Sequence, residues 1–173
     1  MKKIKLENYI RDIPDFPKKG IIFKDITPLL NDKETFQYTV ELLSNYYKDK
    51  HIDKIVAIES RGFIIGGALA CKLNVGFVPV RKKGKLPYRT IHAEYELEYG
   101  HDSLEMHIDA LKPNENVLII DDLLATGGTC QAVVRLIQQM KAYIVGIGFI
   151  VELTFLKGRN KLKEYDVLSL LKY

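Results

Sequence analysis

Apolar positions along the chain fall into short unbroken runs separated by stretches of helical periodicity. Residues 54–58, 77–80, 117–120 and 143–151 are runs without polar alternation, and 167–170 is a further short run of the same kind. Such runs fit strands covered on both faces. Between the runs, Phe36, Val40, Leu43 and Tyr47 recur at spacings of four, three and four, which marks one buried face of a helix. Asn31 reads as its N-cap, with Glu34 three residues on. Residues 62–73, rich in Gly, Ala, Ile and Leu, predict a tightly packed helix. Residues 131–141 predict another, with Val133, Leu136, Ile137 and Met140 as its apolar face. Strands alternating with helices predict an α/β fold with a mainly parallel central sheet flanked by helices. The length of 173 residues fits a single domain over 1–173.

One stretch departs from this pattern. From 93 to 108 polar and apolar residues alternate around Tyr99-Gly100-His101-Asp102. Leu104, Met106 and Ile108 point one way, and Ser103, Glu105 and His107 the other. This predicts a hairpin with one wet face. Before it, residues 81–89 carry five cations with a Gly and a Pro, the make-up of an exposed loop.

Composition adds exclusions more than assignments. Apolar residues make up 47% and charged residues 28%, ordinary values for a folded domain, so disorder, collagen and coiled coil are poor readings. The net charge of +4 permits an anionic partner without demanding nucleic acid. Cys71 and Cys130 lie far apart and outside any CxxC, which argues against a disulfide framework or zinc site and for a reduced, cytoplasmic setting. The four histidines, His51, His92, His101 and His107, form no metal pair or triad by spacing. The basic first residues lack the apolar core of a signal peptide. The longest apolar run, 142–151, has ten residues, half of the ~20 needed to span a bilayer.

The most informative segment is Val117-Leu118-Ile119-Ile120-Asp121-Asp122-Leu123-Leu124-Ala125-Thr126-Gly127-Gly128-Thr129. A buried strand ends in two acids, a loop of small and hydroxyl residues follows, and a helix begins. Ligands of open α/β sheets gather at the carboxyl ends of strands. Gly127 and Gly128 let the backbone approach a ligand, Thr126 and Thr129 add hydroxyls, and the helix start with Ala125 before it suits a phosphate. Asp121 and Asp122 suit sugar hydroxyls, and adjacent carboxylates gain little unless something pairs with them. Together these residues describe a ribose 5-phosphate cradle. No Lys follows the glycines as in a Walker loop, and no GxGxxG is present.

This segment resembles the phosphoribosyl pyrophosphate (PRPP) signature of the type I phosphoribosyltransferases, and the rest of the chain resembles the adenine branch of that family. Phe16-Pro17 with Gly20-Ile21-Ile22-Phe23-Lys24-Asp25-Ile26-Thr27-Pro28 is similar to its base-site segment. Glu59-Ser60-Arg61-Gly62-Phe63 is similar to its pyrophosphate loop, and Arg81-Lys82-Lys83-Gly84-Lys85-Leu86-Pro87 to its basic loop. Leu97-Glu98-Tyr99-Gly100 resembles its catalytic hairpin, and Val151-Glu152-Leu153-Thr154 with Leu156-Lys157-Gly158-Arg159 its later segment. Two departures stand out: Lys24 where the family usually has Arg, and Glu59 where Asp is common.

The resemblance implies a type I phosphoribosyltransferase fold with a small hood over 1–32 and a mobile basic loop and hairpin over 81–108. It implies transfer of a 5-phosphoribosyl group from PRPP to adenine, giving AMP and pyrophosphate, as in purine salvage. Glu98 and Tyr99 would be catalytic, Glu98 as the proton-handling group at the base. Ser60, Arg61, Arg81, Lys82 and Lys85 would bind pyrophosphate. Ile22, Phe23, Lys24 and Leu153 would bind adenine. Mg²⁺ would arrive with PRPP, without a protein cage, since this hard cation favours phosphate oxygens and water. The family also implies a homodimer and a cis Glu59–Ser60 bond. Neither nucleic acid nor membrane is an expected partner. The alternatives are another type I phosphoribosyltransferase, for a 6-oxopurine or orotate, and a PRPP-sensing regulator that has lost catalysis.

Overall fold

A computed structural model describes residues 3–96 and 101–173. Its centre is a seven-stranded sheet. The strands are β3 (Lys54–Ile58), β4 (Gly76–Lys82), β5 (Thr90–Glu96), β6 (His101–His107), β7 (Asn116–Leu124), β8 (Tyr143–Glu152) and β9 (Val167–Lys172). They lie in the order β5-β6-β4-β3-β7-β8-β9. The five strands β4, β3, β7, β8 and β9 run parallel, and β5 and β6 add an antiparallel edge. The predicted run at 167–170 is the core of β9.

Alternation along the central strands explains the layers. Val56, Val117 and Ile119 enter one apolar cluster with Val133, Leu136 and Ile137 of α4 (Gly128–Gln139). Ile55, Leu118 and Ile120 enter a second, with Val40, Leu43 and Tyr47 of α2 (Lys33–Tyr47) and Ile65 and Leu69 of α3 (Arg61–Leu73). Both faces of the parallel strands are therefore covered, which is why these strands read as unbroken apolar runs. Among the described residues no helix is long and apolar enough to cross a membrane.

The chain leaves β3 for β4 on one side and later returns to β7 on the other. That reversal creates a crevice at the carboxyl ends of β3 and β7, the ordinary ligand position in such sheets. An antiparallel ribbon of β1 (Arg11–Pro14) and β2 (Ile22–Asp25) precedes a short helix, α1 (Thr27–Asn31).

Four sequence expectations are corrected. Asp32, not Asn31, caps α2: its carboxylate accepts the Glu34 and Thr35 N–H groups at 3.1 and 2.9 Å, while Asn31 closes α1. Strand β7 runs through the acid pair to Leu124 because Asp121, Leu123 and Leu124 still pair with β8. Helix α4 begins at Gly128, three residues before the expected 131. The face of β6 expected to be wet is largely covered: Glu105 is 8% exposed and the His107 ring meets that of Tyr88. Packing against the 83–89 loop overrides the alternation there.

Candidate active site

The turn expected to cradle phosphate lies where β7 gives way to α4. Gly127 is the N-cap of α4 with φ of 79°, a left-handed backbone that a side chain would strain. Leu123, Leu124, Ala125, Thr126, Gly127 and Thr129 enclose a cavity of about 70 Å³, with Asp121 on its wall. Gly128 and Thr129 begin α4, and among the described residues no side chain caps its first turn. The structure forms a strand-to-helix turn from these residues.

The acid pair stands at the crevice. Asp121 Oδ1 accepts the Asp122 N–H at 2.9 Å. Burial, and then the charge of Asp122, push the Asp121 carboxyl well above the usual carboxylate range. Burial also raises Asp122, against the pull of the Arg61 guanidinium. Arg61, the first residue of α3, places Nε 2.8 Å from Asp122 Oδ2. Its guanidinium carbon lies 4.9 Å from the centre of the Phe23 ring. One cation thus links the acid pair to the ribbon. The Glu59–Ser60 peptide leading into α3 is cis, as the resemblance implied.

Of the basic-loop residues, Arg81 lies beside the crevice, with Nε 2.5 Å from Glu59 Oε2 and a guanidinium N–H donated to the Lys85 carbonyl at 3.0 Å. Lys82 turns toward the hairpin, 2.9 Å from Asp102 Oδ2. That ion pair holds the Asp102 carboxyl below its ordinary range. Asp102 also accepts the Tyr95 hydroxyl at 3.1 Å. Burial first, and Asp102 second, push Tyr95 up to about 12. Lys85 and Ser60 are exposed. Glu98 and Tyr99 lie outside the described residues.

Of the four base-site candidates, Ile22, Lys24 and Leu153 line a cavity of about 790 Å³ that reaches Thr126 of the phosphate loop. Phe23 points to the other face of β2, where its ring meets Phe16 and the Arg61 guanidinium. The two faces of one strand are therefore divided between the cavity and the acid-pair side, which residue type alone did not reveal.

Several residues of this region escaped the sequence reading. Tyr173 and Phe155 also line the larger cavity. Glu105 accepts the Gly84 N–H at 3.0 Å and so ties the basic loop to β6. Arg159 grips Glu152 through two nitrogens, Nε at 2.9 Å and a terminal nitrogen at 2.5 Å, behind the phosphate loop. The Leu156-Lys157-Gly158-Arg159 segment was visible as a motif, but its contact with that loop is a long-range one.

With this geometry established, comparison with known proteins gives a consistent result. Residues 27–171 match the phosphoribosyl transferase domain. The adenine phosphoribosyltransferase of Halothermothrix orenii is 58% identical over 97% of this chain and 99% of its own length. The crystal structure of the Thermoanaerobacter pseudethanolicus adenine phosphoribosyltransferase superposes with a TM-score of 0.95 at 53% identity, covering 98% of this chain and 100% of that one. The Saccharomyces cerevisiae enzyme, solved with an imino-altritol bisphosphate and adenine, superposes at 0.91 with 42% identity over 96% of each chain. Family match, near-full-length identity and backbone superposition agree, and the chain belongs to the adenine phosphoribosyltransferase family.

Proposed function

We propose that this chain transfers the 5-phosphoribosyl group of PRPP to N9 of adenine, releasing pyrophosphate and forming AMP. The observation that carries the reading is the joining of the phosphate turn at 125–129 to the Asp121–Asp122 pair and Arg61 in one crevice. The α4 N-terminus receives the 5-phosphate and the acids receive the ribose hydroxyls, which replace the water lost on burying them. Arg61, Arg81, Lys82 and Lys85 are assigned to the pyrophosphate with Ser60. Lys82 then exchanges Asp102 for phosphate oxygens.

In the reaction the bond from C1′ to the pyrophosphate oxygen breaks with its electron pair leaving on pyrophosphate, and the bond from N9 to C1′ forms. Cations aimed at the departing oxygens lower the barrier because charge grows there. Glu98 is assigned to take the N9 proton and Tyr99 to accompany it as the hairpin closes and excludes water. Ile22, Phe23, Lys24 and Leu153 are assigned to hold the base.

Mg²⁺ would enter this site as a companion of the substrate, since a hard cation favours phosphate oxygens and water, and Asp121 borders the same turn. When bound with PRPP it neutralises pyrophosphate charge. Asp121 would be the carboxylate to meet its water shell. We further place the enzyme in the cytoplasm as a homodimer without nucleic-acid or membrane partners; the free thiols of Cys71 and Cys130 accord with a reducing compartment.

The test is PRPP-dependent AMP formation from adenine, with and without Mg²⁺, beside hypoxanthine, guanine and orotate. Adenine as the preferred base, with activity lost on chelation, supports the reading. Preference for another base, or PRPP binding without transfer, overturns it.

A further inference from the structure

Lys24 and Tyr173 join the β1–β2 ribbon to the far part of the main sheet. Lys24 shares a face of β2 with Ile22, opposite Phe23. Its Nζ lies 3.9 Å from the centre of the Tyr173 ring, and 2.7 and 2.9 Å from the two Asp12 carboxylate oxygens on β1. The Lys24 side chain is only 13% exposed, so these contacts are partly removed from water, where a cation over an aromatic face gains most.

Tyr173 is itself fixed. Its N–H donates to the Glu152 carbonyl at 2.9 Å, and its carbonyl accepts the Thr154 N–H at 2.8 Å and the Thr154 hydroxyl at 2.6 Å. Glu152 and Thr154 flank Leu153, which lines the same cavity as Ile22, Lys24 and Tyr173. The Tyr173 ring is thereby held at a set distance from Leu153, and Lys24 is held on the ring. The ribbon has an independent tie through Phe23 and Arg61, so loss of the Lys24 contact shifts β2 without freeing it.

We propose that Tyr173 is a positioning residue for the purine base: by holding Lys24 it sets the spacing between β2 and Leu153, and with it the affinity for adenine. The proposal rests on the assignment of β2 and Leu153 to the base pocket. A small misplacement of a binding wall is costly because base and ribosyl carbon must meet at near-contact distance. Lys rather than Arg at 24 suits this contact, since a compact ammonium sits over one ring while Asp12 takes its remaining donors.

Steady-state kinetics of single variants test the idea. Tyr173→Leu raises the KM for adenine roughly five- to thirtyfold, with kcat and the KM for PRPP within about twofold of the parent. Tyr173→Phe keeps the ring face and returns most of the lost affinity. Lys24→Met raises the KM for adenine at least as much, since it also loses the Asp12 pair, and the double variant is little worse than Lys24→Met alone, because the shared contact is already gone. Leu153→Ala, in the wall of the same cavity, separates the proposal from the reading beneath it. If Leu153→Ala leaves the adenine KM unchanged, the pocket assignment fails and the proposal with it. If Leu153→Ala raises that KM and Tyr173→Leu does not, the Tyr173 proposal alone is overturned. A parallel rise in both KM values, or Tyr173→Phe as poor as Tyr173→Leu, also overturns it. Should Tyr173→Leu fail to fold, Tyr173→Met, which keeps an apolar side chain without the ring face, carries the same decision.

Discussion

Gly158 lies directly against the phosphate loop: a Cβ on it would overlap the Ala125 carbonyl oxygen and come 2.9 Å from the Gly127 nitrogen. The approach is reciprocal: a Cβ on Gly127 would come 2.6 Å from the Gly158 carbonyl oxygen. Gly158→Ala is therefore expected to displace the 125–127 turn and raise the KM for PRPP about tenfold or more, with a smaller effect on adenine. A folded variant with a parental KM for PRPP would show that this contact does not shape the cradle.

Glu105 supplies the second prediction. Its buried carboxylate accepts the Gly84 N–H, and Lys83 N–H donates to the Ser103 carbonyl at 3.1 Å, so β6 fixes the middle of the basic loop. Glu105→Leu removes the acceptor and strands the donor; the expected result is a rise in the KM for PRPP of roughly three- to tenfold. Glu105→Gln keeps an acceptor oxygen and is expected to lose much less. Equal losses in the two variants would point to charge instead of loop anchoring.

Glu98 is assigned the proton of N9. Glu98→Gln keeps size and hydrogen-bonding capacity but removes the base, so turnover is expected to fall by about tenfold or more while PRPP affinity changes little. Near-normal turnover in steady-state kinetics would remove Glu98 from the catalytic list.

The Glu152–Arg159 pair yields a pH prediction. Hydrogen bonds from Arg159 hold the Glu152 carboxyl below its ordinary value of 4.5. A carboxylate depressed by folding adds stability above its unfolded pKa, and that contribution is lost as pH falls through the lower folded value. Arg159 is 37% exposed while Glu152 is 5% exposed, so the pair is screened on one side only. Glu152→Gln is expected to lower the melting temperature at pH 7 by roughly 4–8 °C, equivalent to about 2 kcal/mol for hydrogen bonds to a charged group. Melting curves at pH 3 should show the difference shrinking, and a pH-independent gap would contradict this account.

How much of this was legible in the sequence follows from the range of the interactions. The turn at 125–129 was readable because its residues are contiguous: acids, small residues and glycines lie within one strand-to-helix connection. The parallel strands were readable because cover on both faces leaves no polar alternation. Asn31 and Asp32 were confused because each type caps helices, and only the bond to the Thr35 N–H separates them. Glu105 read as solvent-facing because strand alternation knows nothing of the loop that folds over it.

The sequence by itself determined the α/β alternation, the strand–turn–helix at 117–129 and the family, since each rests on local pattern or on motifs kept in order along the chain. Only the tertiary structure decided that Arg61 stands between Asp122 and Phe23, that Phe23 and Lys24 serve opposite faces of β2, and that Gly158 and Tyr173 press on the site from the end of the fold. Those contacts join residues up to 149 positions apart in the numbering, from Lys24 to Tyr173. Their partners are chosen by sheet order and packing, which periodicity along a chain does not encode.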